Sequence, residues 1–115
     1  MKIKYVGKYG ATFNRDCLNW TNSRKINIAF LKIREQYAND LLVQHKKLYL
    51  NEVYMLLGLK TTKIGSVVGW IYEENNEVGD NFVNFGINLN GFNPNIKLDF
   101  NVDGDIIHRN PYLEN

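Results

Sequence analysis

The most specific chemical signal in this chain is a run of oxygen ligands, Asp99-Phe100-Asn101-Val102-Asp103-Gly104-Asp105-Ile106. It matches the first eight positions of a calcium-binding loop of the EF-hand type: side-chain oxygens at 1, 3 and 5, glycine at 6, an aliphatic residue at 8. That spacing wraps hard oxygens around one hard cation. Position 12, however, is Asn110, which cannot supply the bidentate carboxylate. Phe100 and Val102 also alternate with the oxygens, as a strand with one wet face requires. A strand followed by an Asp103-Gly104 type I′ hairpin therefore fits better, and no metal site or cofactor is expected.

Other reactive side chains offer less. Cys17 with His45 or His108 would make a nucleophile and base, yet nothing brings them together, and Cys17 stands at an apolar helical spacing that suits a buried thiol. Asp16, Glu35, Asp40 and Glu52 read as charges on helix faces rather than as an acid–base pair. Gly65-x-x-x-Gly69 lacks the Lys-Ser/Thr of a phosphate loop. No catalytic set emerges, and the reading is non-enzymatic.

The elements that must hold these residues follow from periodicity. One α+β domain over residues 1–115 is expected, with one long and one or two short helices packed on a roughly four-stranded antiparallel β-meander. The long helix begins after Ser23, its N-cap, and ends near Lys46; Ile26, Phe30, Ile33, Tyr37 and Leu41 form its apolar stripe. A shorter helix covers about Leu50 to Leu57, with Val53, Leu56 and Leu57 buried and Gly58 as its left-handed terminator. Residues 2–6 suit an edge strand, 13–20 a short helix or turn, and Thr61 and Thr62 the cap of one more turn. The meander would consist of VVGWIY, NFVNFGINL, NIKLDFNV and DIIHR, with Gly69 and Gly86 at bulges or close approaches. Residues 110–115 read as a loose tail.

Composition sets limits on function. At 115 residues, 44% hydrophobic and 13% aromatic, the chain has the make-up of a folded globule. No apolar run approaches the ~18 residues of a membrane span, and no secretory leader is seen. A single cysteine excludes an internal disulfide, so a cytoplasmic protein is expected. Residues 1–60 hold eleven Lys/Arg against four Asp/Glu, and residues 61–115 hold three against eight. Two surfaces follow. The wet sheet face would present Phe82, Asn84, Lys97, Asp99 and Asn101 to a protein partner. The basic helical layer would place Lys25, Lys32, Arg34, Lys46 and Lys47 on the phosphates of a nucleic acid. The sequence leaves the oligomeric state open.

FNRDCLNW, FLKIREQYANDLL, LYLNEVYMLLG, TKIGSVVGW, GDNFVNFGI and LDFNVDGDI together, in this order, resemble the C-terminal soluble domain of an uncharacterised protein family of bacteriophages and prophages of Gram-positive bacteria. The resemblance runs from about Phe13 to Ile107. It implies a mobile-element protein acting in the host cytoplasm, with a host or phage protein as its partner, and it carries no catalytic or binding residue. Longer members of that family have membrane-spanning helices before this domain. This chain shows none, so no membrane role is expected. Family members also show a Gly-His pair near the position of Lys46-Lys47, so the loop here is expected to differ.

Overall fold

A computed structural model describes residues 9–75, 79–90 and 94–107. Among these the architecture is α+β, with two α-helices and two antiparallel sheets. Strand β1 (Gly10–Phe13) is followed by helix α1 (Arg24–His45), strand β2 (Lys47–Tyr49), helix α2 (Leu50–Leu56) and a 3-10 turn (Ile64–Ser66). Strands β3 (Val68–Ile71), β4 (Ile96–Asp99) and β5 (Gly104–Asp105) complete the order. The expected strand at residues 2–6 and the tail at 110–115 lie outside the described residues.

The local punctuation acts as its chemistry dictates. Ser23 Oγ accepts from the Ile26 amide and caps α1. Lys46 closes it in the left-handed region at φ 67°. Glu52 accepts from the Tyr49 amide at the start of α2, and Gly58 (φ 71°) follows its end. Thr62 Oγ1 accepts from the Gly65 amide and starts the 3-10 turn. Residues 13–20 form turns, through Cys17 N–H to Asn14 O and Trp20 N–H to Cys17 O.

The single meander is not formed. β3 pairs with β2 on one side and β5 on the other, whereas β4 pairs with β1. The chain therefore does not reverse at Asp103-Gly104. It runs on from one sheet to the other, where Gly104 faces Gly69 and the Asp103 amide donates to Gly69 O. A local Asp-Gly turn preference lost to these tertiary bonds, and to the buried Asp103 carboxylate, whose Oδ2 accepts from the Ile71 amide at 2.9 Å. Gly69 is required where strands close in: a Cβ there would collide with Leu48 O and Tyr49 Cα.

The NFVNFGINL segment is not a regular strand either. It runs beside β4 through Asn88 N–H to Lys97 O and Asp99 N–H to Phe85 O, interrupted at Gly86 (φ 57°). On its other side the partner is α1. Asn39 donates to Val83 O (2.9 Å) and accepts from Val83 N (2.8 Å), and Glu35 Oε2 accepts from Phe85 N (2.7 Å). A primary amide has the donor and acceptor of a peptide unit, so it can stand in for one residue of a strand. The same clamp recurs where Asn27 holds Thr21, Asn51 holds Thr62 and Asn81 holds Glu73.

The core lies between α1, α2 and both sheets. Trp70, Phe13, Phe85 and Phe100 are fully buried, and Phe100 meets Phe85 and Tyr54 edge-on at 5.5 and 5.7 Å. Ile96, Leu98, Phe100 and Val102 all point inward, as their alternation requires. The stripe of α1 is corrected. Its buried residues are Asn27, Leu31, Ala38 and Leu42, one position later than the expected row, with Phe30 and Leu41 only half-buried. An amide and an alanine give a weak hydrophobic signal, so the larger apolar side chains drew the expected row round by one position; of that row, Phe30 and Leu41 pack against the core.

Candidate functional site

The expected sheet face is partly internal. Lys97 and Asp99 are exposed on β4, and Phe82 keeps 46% of its surface in solvent. Asn101 instead belongs to the structure. Its Oδ1 accepts from Trp70 Nε1 (2.9 Å) and Asn84 N (2.6 Å), and its Nδ2 donates to Phe82 O and Asp80 Oδ2. Asn84 is exposed, but its Oδ1 accepts from Gly86 N. Asn101 thus ties Phe82 to Asn84, while Lys97 and Asp99 share the exposed side of β4.

Beside them runs a shallow polar groove. Thr12, Asn88, Asn90, Asn95 and Lys97 line a cleft of about 380 Å³. Asn88, Asn90 and Lys97 also border a second one of about 490 Å³, with Asp99. Its amides, with Lys97 and Asp99, can hydrogen-bond a polar surface.

The Asp99–Asp105 oxygens do not converge. Asp99 faces solvent, Asn101 Oδ1 serves Trp70 and Asn84, Asp103 Oδ2 serves Ile71 N, and Asp105 Oδ1 accepts from Ile107 N. Among the described residues no group of three or more His, Cys, Asp or Glu has metal-holding geometry. Cys17 is buried, and His45 is exposed at the end of α1; His108 lies outside the described residues. Glu35 and Glu52 accept from backbone amides, and Asp40 accepts from Gln36 Nε2. Glu35, Asp40 and Glu52 are therefore engaged one at a time, and Asp16 is exposed in the turn after β1.

The basic candidates are spread out. Lys25 and Lys32 are exposed seven residues apart on α1. Arg34 holds its guanidinium 5.2 Å from the centre of the Phe30 ring. Lys46 and Lys47 sit at the far end of α1, about 18 Å beyond Arg34, over Tyr72 and Tyr49 at 5.0 and 5.5 Å. They form two groups, not one patch.

A surface that sequence reasoning missed lies on the outer side of α1. Ile26, Ile33, Tyr37 and Val43 keep 57, 68, 46 and 45% of their surfaces in solvent. They fall along one side of the helix, roughly opposite the buried row. Single exposed apolar residues are ordinary; a row of four along a 22-residue helix is the pattern of a contact surface. The signal was present in the stripe Ile26, Phe30, Ile33, Tyr37, but it was assigned to the core.

Among the described residues no helix is long and apolar enough to cross a membrane. Neither a curated protein nor a solved structure matches the chain. A family model does, over residues 3–109, nearly the whole length. The chain belongs to that family, a family of unknown function (DUF6353).

Proposed function

We propose that this chain is a non-enzymatic protein-binding module, an accessory factor of a phage or mobile element that acts in the host cytoplasm. The observation that carries the reading is the outer face of α1, where Ile26, Ile33, Tyr37 and Val43 remain in solvent after the core is complete. Burying such a row against a partner removes apolar area from water at about 25 cal/mol per Å². Phe82, Lys97 and Asp99 supply a second, more polar surface. Inhibition of a host defence or replication protein is the biology we assign to such a module, on the strength of the phage resemblance. The nucleic-acid alternative, through Lys25, Lys32, Arg34, Lys46 and Lys47, is weaker because two groups separated by about 18 Å of helix must act together.

Affinity purification from Gram-positive host lysate, with and without nuclease, tests the reading. A host protein should be retained after nuclease treatment. Retention that vanishes with nuclease would transfer the function to nucleic-acid binding.

A further inference from the structure

Resting on the protein-binding reading, we propose that the partner of the α1 outer face is a second copy of this chain. The two helices would lie antiparallel about a two-fold axis passing between Arg34 and Glu35. That axis sets Ile26 opposite Val43 of the second copy and Ile33 beside Gln36 and Tyr37, so the exposed apolar residues meet one another from both ends. The exposed Ala29 falls opposite Asp40 and leaves room for its carboxylate.

Charge fixes the direction. α1 contains two acids, and Glu35 is turned inward to the Phe85 amide, which leaves Asp40 on the outer side. Its cations nearest that side are Lys25 and Lys32, both exposed. In the antiparallel pair each Asp40 lies between Lys25 and Lys32 of the other copy, displaced along the axis by about 6 and 4.5 Å, within reach of lysine stems. A parallel pair would instead set Asp40 against Asp40 and lysine against lysine. On the other flank the two Arg34 side chains approach near the axis, each held over its own Phe30 ring. Two helices about 33 Å long make a small interface, so the dimer is weak and exchanges quickly.

Sedimentation velocity of the full chain at low salt, from roughly 10 μM to 1 mM, tests this. The expected result is a sedimentation coefficient that rises with concentration towards a dimer. Asp40→Lys should weaken association about tenfold or more. The triple variant Lys25→Glu, Lys32→Glu, Asp40→Lys should restore it to within about threefold, because the swapped charges again face each other. Ile33→Gln should weaken association with an unchanged circular dichroism spectrum. A chain that stays monomeric at 1 mM, or self-association indifferent to Asp40→Lys, overturns the proposal. A monomer that still retains a host protein through Ile33 overturns the dimer and leaves the protein-binding reading standing.

Discussion

On its inner side α1 carries Asn27, Leu31, Glu35, Ala38, Asn39 and Leu42; on its outer side it carries Ile26, Ala29, Ile33, Tyr37 and Val43. Ile28, Phe30 and Leu41 flank the inner row and pack against the core, so both sides carry apolar residues, yet Ile26, Ile33, Tyr37 and Val43 stay in water. The inner side is polar because it must satisfy backbone that has no strand partner: Val83 bonds to Asn39, Phe85 to Glu35 and Thr21 to Asn27. The outer row contributes little to folding, which leaves it available for association. A helix face is therefore identified as core by what it must hydrogen-bond and fill, and not by its apolar content alone.

The comparison breaks most sharply in the core that α1 covers. Phe100→Ala should cost about 3–5 kcal/mol of unfolding free energy in urea. Asp99→Ala, next to it on the wet side of β4, should cost well under 1 kcal/mol. Similar losses for the two would contradict the facing of the strand.

Next comes the polar inner side. Asn39→Ala strips partners from the amide and carbonyl of Val83, at about 1–3 kcal/mol for each unsatisfied group. We expect roughly 2–4 kcal/mol in all, together with faster hydrogen exchange at Val83. Asn39→Asp should not rescue it, since a carboxylate can accept from Val83 N but cannot donate to Val83 O. A loss under about 0.5 kcal/mol would mean that the clamp does not hold the segment.

These clamps explain what the sequence concealed. The alternation of Ile96, Leu98, Phe100 and Val102, the Ser23 cap and the Gly58 terminator were legible, because each is a short-range rule that the tertiary structure leaves intact. The Asp103-Gly104 hairpin and the NFVNFGINL strand were misread, because their outcome depended on Ile71, Gly69, Glu35 and Asn39, tens of residues away. Asparagine reads as a turn or solvent residue, and nothing local marks one as a substitute strand. Of the candidate site, Phe82, Lys97 and Asp99 were found as exposed groups, whereas Asn101 proved internal. Of the expected α1 row, Phe30 and Leu41 pack against the core, whereas Ile26, Ile33 and Tyr37 face solvent.

A smaller effect appears in alkali. Burial of Tyr54, and secondarily the nearby Tyr9 hydroxyl, push its pKa above the ordinary tyrosine value of 10.0. The folded state thus favours the neutral phenol. That preference is fully present below the unfolded value and is lost as pH rises through the higher folded one. Tyr54→Phe should therefore flatten the fall in stability above about pH 10, with a change at pH 7 of under about 1 kcal/mol. Alkaline denaturation profiles that superimpose would contradict this origin.

The most direct test of the two-face account is the smallest expected change. Urea unfolding of Ile33→Gln, at concentrations low enough to keep the chain monomeric, should match the native protein within about 0.5 kcal/mol. A loss of 2 kcal/mol or more, the scale of a buried isoleucine, would place Ile33 in the core and remove the outer face of α1 as a binding surface.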